Sequence, residues 1–349
     1  MSHKKYFTKA LLQWHSMENK RSLPWKEEKD PYKIWLSEVI LQQTRAEQGR
    51  PYYEAFTNKY EDVHALASAP EEEVFRIWQG LGYYNRCRNM LATARHIGKD
   101  LNGHFPNKYE DIRALKGVGD YTAAAIASFA YNLPYAVLDG NVYRVLARYF
   151  GIGTPIDAPA GKKEFMALAN SLLDASNPAA YNQAIMDFGA EICKPAKPLC
   201  TDCILNKYCV AIKGDMVGAL PVKSKKLQVK QRHFHYLVLE TEGMVFICLR
   251  KANDIWQNLH EFVLVETEGN IAETEQWRRF SATATTVSPN VFTNKQRLTH
   301  QVINSHFHVF RYGQQPDITL AGRWIAKGSI KNLAFPKTII SFFDRKKYF

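Results

Sequence analysis

The chain has 349 residues, 46% of them hydrophobic and 23% charged, which suits two packed domains and excludes a largely disordered protein. Its formal net charge of +12 favours a polyanionic partner, nucleic acid before an anionic membrane. Nowhere do about 18 apolar residues run together, and the start, MSHKKYFTKALLQWH, has no apolar export core. The expectation is a cytoplasmic protein without membrane contact, whose six cysteines read as ligands or buried thiols before disulfides.

Up to about Ile212 the pattern is helical, with amphipathic runs separated by short breaks such as Asn102-Gly103 and Gly151-Ile152-Gly153. One helix start is marked by Asp30 as N-cap and Pro31 at the first helical position. Another follows Pro70, where three glutamates complement the helix dipole. The stretch GALPVKSKKLQVKQR is basic and Pro/Gly-marked, as a linker would be. Beyond it, HFHYLVLETEGMVFICLR predicts two strands around a Glu-Gly turn, while HEFVLVETEG and VINSHFHVFRYG predict one each. The fold class expected is therefore a mainly α region followed by an α+β domain: residues 1–213, a basic linker over 214–230, and 231–349.

Three features carry chemistry. Cys193, Cys200, Cys203 and Cys209 are spaced C-x6-C-x2-C-x5-C with no histidine among them. Four thiolates in so short a loop can surround one soft metal centre. The uneven spacing suits an iron–sulfur cluster better than paired zinc knuckles, although zinc stays open and so do four separate buried thiols. Lys194, Lys197 and Lys207 would present that loop to a phosphate backbone. Second, Leu115–Ala123 reads LKGVGDYTA before an apolar helix. The Gly117 and Gly119 turn at a helix N-terminus leaves backbone N–H groups free for a phosphate, with Lys116 adding a charge.

The third feature is a pair of acids. Glu38, in WLSEVILQQT, has Ile34, Trp35 and Leu41 as helical neighbours. Apolar company raises a carboxyl pKa and keeps a proton on it near neutrality. The same pattern also suits an ordinary half-exposed glutamate. Asp139, in AVLDGNVYRVLARYF, reads first as an N-cap, a role that keeps it ionised. One acid and one carboxylate are what glycosidic cleavage through an oxocarbenium-like state requires.

The cysteine spacing and the glycine hairpin resemble the endonuclease III superfamily of helix-hairpin-helix, iron–sulfur DNA glycosylases. WLSEVILQQTR, LDGNVYRVLAR, LPW at Leu23–Trp25 and GLGYYNR at Gly80–Arg86 resemble the adenine DNA glycosylase family over roughly the first 210 residues. That resemblance implies a 4Fe-4S cluster on the four cysteines. It also implies a monomer acting on double-stranded DNA that carries adenine opposite 8-oxoguanine or guanine, near the nucleoid of a bacterial-type cytoplasm. Relatives that also cut the backbone carry lysine where Tyr121 stands, so an enzyme leaving an abasic site is implied. By the same resemblance Glu38 protonates adenine N7 and Asp139 stabilises the sugar cation. Asn141 and Tyr121 orient Asp139. Gln43 and Tyr83 wedge into the duplex, Arg86 belongs to the DNA-contacting motif, and Gln183 bonds the flipped base.

Family members continue into a Nudix-like domain that reads the oxidised guanine, and the strands after Gln231 resemble it. No Nudix catalytic box occurs, so pyrophosphohydrolysis is not expected. The lesion reader implied is an aromatic-Ser-His loop, available here as Leu298-Thr299-His300 or as Asn304-Ser305-His306, with the first preferred because it precedes a strand. A thymine or damaged-pyrimidine glycosylase and a non-catalytic DNA-binding protein remain the other readings.

Overall fold

The computed structural model describes residues 3–224 and 229–346; positions 225–228 of the expected linker lie outside that range. The helices are α1 (His3–Met17), α2 (Pro31–Leu41), α3 (Ala46–Lys59), α4 (Val63–Ser68), α5 (Glu71–Trp78), α6 (Tyr84–Asp100), α7 (Tyr109–Ala114), α8 (Asp120–Tyr131), α9 (Gly140–Phe150), α10 (Pro159–Leu172), α11 (Pro178–Glu191) and α12 (Val210–Lys213). The signals read from sequence act as expected. Asp30 accepts from the Tyr32 N–H with Pro31 behind it, and Glu71, Glu72 and Glu73 fill the first turn of α5. Among the described residues no helix is long and apolar enough to cross a membrane.

Two compact units result: Met1–Ser68 with Asn89–Lys226, and Ala69–Arg88 with Leu227–Phe349. In the first, α1, α8, α9, α10 and α11 share a core of Phe7, Leu11, Trp14, Leu146, Phe165, Tyr181 and Phe188. α2 packs against α8 and α3. α2 is apolar nearly all round, with eight of its residues buried from Tyr32 to Ile40. That burial explains how a glutamate at its centre becomes an interior group.

The second unit holds β1 (Lys230–Glu240), β2 (Met244–Leu249), β3 (His260–Glu261), β4 (Val263–Glu266), β5 (Thr286–Val287), β6 (Phe292–Arg297), β7 (Gln301–Arg311) and β8 (Gly322–Ala326) in one mixed sheet. Its spine is the parallel pair β1–β7, in register from Lys230↔Gln301 to Glu240↔Arg311. One face packs Tyr236, Phe262 and Phe307 on Phe342 of α14 (Lys337–Lys346), with Phe307 and Phe342 stacked at 4.6 Å. The other face places Leu237, Leu239 and Phe310 under Phe280 of α13 (Glu275–Thr283). The order of elements, mainly α and then α+β, is as the sequence pattern predicts, while Ala69–Arg88, with α5, falls in the second unit. HEFVLVETEG, expected as one strand, is two, with Phe262 between β3 and β4 buried in the aromatic layer.

Candidate active site

The two acids meet in the first unit, in a cleft of about 910 Å³ lined by Glu38, Gln43, Tyr121, Asp139, Asn141 and Gln183 among others. Glu38, on the last turns of α2, is only 6% exposed. Burial raises its pKa to about 7; a hydrogen bond from Tyr121 pulls it down and the nearby charge of Asp139 pushes it up. A glutamate with a proton available at neutral pH is thus built by the fold: an apolar helix carries it inward, and α8 supplies the phenol that bonds it. The Tyr121 hydroxyl is held well above its usual range by the same burial and the two carboxylates, so it stays a neutral donor.

Asp139 caps α9, its Oδ1 accepting from the Val142 N–H at 2.7 Å and its Oδ2 from Asn141 Nδ2 at 2.8 Å. The cap is the one expected from sequence, and burial adds an influence that the sequence did not show. Burial is the largest influence and shifts it upward, against the opposing hydrogen bonds from Val142 and Asn141 and the charge of Arg144. Asp139 nevertheless has donors fixed on both oxygens, whereas Glu38 has one phenol, so the environments of the two acids differ as acid and carboxylate roles demand.

Arg144 was not singled out in the sequence, and it joins the acid site to the cysteine loop. This buried guanidinium donates to Asn141 Oδ1 (2.8 Å), Gly140 O (3.1 Å), Gly189 O (2.6 Å) and Cys193 O (2.7 Å). Gly189 of α11 is needed for that approach: a Cβ there would lie 2.7 Å from Asn141 Cβ and 3.0 Å from Asn141 O. Nothing in local periodicity marks either residue, beyond their proximity in sequence to Asp139 and Cys193.

The four cysteines come together as the spacing suggests. Cys203 interacts electrostatically with each of the other three, and Cys193 and Cys209 each with Cys200. Arg148 crosses the group, donating to Cys193 Sγ at 3.5 Å and to Lys194 O at 2.7 Å. Among the described residues no three such side chains close around a single metal ion. A set of four thiols without a histidine, with an arginine against it, suits a four-iron cluster. The other two cysteines behave as core residues, Cys87 buried and Cys248 half-buried.

The remaining sites divide by exposure. Gly117 takes positive φ (81°), with Asn89 Cβ 2.8 Å from where a side chain would start; Gly119 caps α8, and Lys116 is exposed beside them. Gln43 and Tyr83, the two expected wedges, both adopt left-handed backbone (φ 55° and 49°), and both are exposed. Non-glycine residues held there are uncommon and concentrate at functional positions. Arg86 is buried, its guanidinium 5.2 Å from the Trp78 ring and 5.3 Å from the Tyr83 ring. It supports Tyr83 rather than offering a surface charge.

In the second unit, Thr299 and His300 form the exposed tip of the β6–β7 hairpin, closed by Leu298 N–H to Gln301 O at 2.8 Å. The Thr299 hydroxyl is hydrogen-bonded to the Tyr83 hydroxyl, within the same unit. Ser305 and His306, the other register, sit in mid-strand β7: Ser305 is 1% exposed, and His306 points to the opposite face. Ser305 Oγ and His306 Nε2 are buried without a hydrogen-bond partner among the described residues.

Known proteins agree with this layout. The HhH-GPD superfamily base excision DNA repair protein family matches residues 36–172, and the NUDIX domain family matches 235–345. The adenine DNA glycosylase of Buchnera aphidicola subsp. Acyrthosiphon pisum is 34% identical over 73% of this chain and 73% of its own, and that of Buchnera aphidicola subsp. Schizaphis graminum 30% over 88% and 84%. The chain belongs to the adenine DNA glycosylase family. The human adenine DNA glycosylase is 40% identical over 59% of this chain and 39% of its own. A solved thermostable thymine-DNA glycosylase is similar at 31% identity and a TM-score of 0.56, covering 61% of this chain and 97% of that one. An endonuclease III–DNA complex shares the fold at 22% identity and a TM-score of 0.53, covering 62% and 99%. Membership of this family makes the chain a base-excision DNA glycosylase with a helix-hairpin-helix core.

Proposed function

We propose that this glycosylase hydrolyses the N-glycosidic bond of adenine mispaired with 8-oxoguanine or guanine in double-stranded DNA, as a monomer, leaving an abasic site. The observation that carries the reading is Glu38, buried, bonded by Tyr121 and poised near pH 7 opposite the capped Asp139. With adenine flipped into the cleft, Glu38 gives its proton to N7 and the C1′–N9 pair leaves with the base. Asp139, steadied by Asn141 and Val142, faces the cationic sugar. Water then adds at C1′, and its proton returns to Glu38. Tyr121 offers no amine, so no Schiff base forms and the backbone stays intact.

Cys193, Cys200, Cys203 and Cys209 would hold a 4Fe-4S cluster that cross-links their loop and takes no part in bond breaking. Arg144 ties that loop to Asn141. Phosphates would meet the Gly117–Gly119 turn and Lys116, and Gln43 and Tyr83 would wedge the duplex. For the 8-oxoguanine reader, the bond between Tyr83 and Thr299 supports the Leu298–His300 hairpin over buried Ser305.

Base release from duplexes bearing adenine opposite 8-oxoguanine, guanine or cytosine, and thymine opposite guanine, with and without alkali, tests this. Strand breaks only after alkali, chiefly at adenine opposite 8-oxoguanine and lost in Glu38→Gln, are the expected result. Breaks without alkali would mean a lyase, release of thymine instead would move the substrate class, and no release would leave a DNA-binding protein.

A further inference from the structure

One buried charge has no part in the chemistry above. Asp187, on α11, is fully buried yet keeps a pKa below its ordinary value, because a set of donors outweighs the cost of burial. Asn19 Nδ2 and Lys26 Nζ reach its Oδ2 at 2.8 and 3.2 Å, and Arg21 Nη1 reaches its Oδ1 at 2.8 Å. Gln183, one helical turn earlier on α11, adds a further side-chain hydrogen bond to the same carboxylate. Lys26 is itself pinned by the Arg21 carbonyl at 2.9 Å, and Asn19 by the Arg21 N–H at 3.0 Å, so the assembly has little freedom to rearrange.

An ionised carboxylate accepts and cannot donate. The Gln183 amide must therefore turn its NH2 toward Asp187, which leaves its carbonyl oxygen for the cleft that Gln183 lines with Glu38 and Asp139. We propose that Asp187 is a positioning residue for base selectivity: it fixes the Gln183 amide so that the cleft presents an acceptor to the exocyclic amino group of the base. Adenine carries such a donor at its 6-position, hypoxanthine carries an oxygen there, and unsubstituted purine carries nothing. An oxygen facing an oxygen is repelled, so selection for the 6-amino purine is set one residue behind the contact. This inference rests on the proposed reaction and names what selects its substrate.

Single-turnover release of adenine, purine and hypoxanthine from otherwise identical duplexes, each rate divided by that base's acid-catalysed loss without enzyme, reads the effect. The unmodified protein should rank adenine first and hypoxanthine last. Asp187→Asn can present NH2 to Gln183 and allow the amide to turn, so the hypoxanthine-to-adenine ratio should rise about tenfold or more. Gln183→Met should bring adenine and purine to within a few-fold of each other. Melting temperature and iron content of both variants report folding. An equal fall for all three bases in folded Asp187→Asn, or hypoxanthine ranked with adenine in the unmodified protein, would overturn the inference while leaving the glycosylase reading intact. If the unmodified protein releases no base, that reading fails and takes the inference with it; should Asp187→Asn not fold, the ranking in the unmodified protein and Gln183→Met decide.

Discussion

The proton on Glu38 should be visible in the pH dependence of the rate. An ordinary glutamate of pKa 4.5 is protonated in about one molecule in three hundred at pH 7, whereas a pKa of about 7 leaves roughly half of the molecules competent. The shift corresponds to about 3 kcal/mol of unfavourable burial of the charged form. For a general acid, kcat/KM on an adenine:8-oxoguanine duplex should be flat below about pH 7 and fall tenfold per unit above it. The Tyr121 hydrogen bond holds the Glu38 pKa down, so Tyr121→Phe should move that limb to higher pH, whatever it does to the maximum rate. The same shift has a stability side. A carboxyl whose folded pKa is raised favours folding below about pH 4.5, and that contribution is lost as pH rises through about 7. Glu38→Gln should therefore melt higher than the unmodified protein at pH 8, by up to the equivalent of 3 kcal/mol, while losing activity. A limb centred near pH 4.5, a rate that climbs through pH 7, or a limb that moves down in Tyr121→Phe would refute the assignment of Glu38 as the acid.

Two other outcomes follow from packing and from charge. Gly189→Ala would force a methyl to 2.7 Å from Asn141 Cβ, displacing the side chain that holds Asp139; adenine release should drop at least tenfold with a melting loss of about 1–3 kcal/mol, read by single-turnover kinetics and calorimetry. In the second unit His233, His235, His306 and His308 stack on one sheet face, with His235 Nδ1 and His308 Nε2 3.1 Å apart. Burial and mutual repulsion lower the pKa of His235 and His308 to about 4, so the unfolded chain takes up protons first as pH falls below about 6.5. Stability should be complete above that pH and decline toward pH 4, and buried His308→Gln should flatten the decline by as much as ~3 kcal/mol in melts between those limits.

Much of this protein is legible in one dimension. The Asp30-Pro31 start, the acidic first turn of α5, the glycine hairpin and the four cysteines are short-range signals, because capping, turn conformation and loop ligation act over a few residues. Runs of β-branched and aromatic residues bounded by turn residues likewise mark β1, β2 and β7. It could not show that β1 and β7 pair in parallel over their whole length, since that pairing joins residues about seventy positions apart. The pairing sets the two His-Phe-His segments in neighbouring strands, two residues out of step, and buries Ser305, so the register placed second from sequence is the one folded into the sheet. In the helical unit, the pattern around Glu38 suits a surface glutamate better, and only the packing of α8 on α2 makes it an interior group; Arg144, Asp187 and Gly189 carry no signal of their own. Their roles depend on who lies opposite, and only folding chooses that: burial raises the stakes of every polar group, and the partners that satisfy it come from distant parts of the chain.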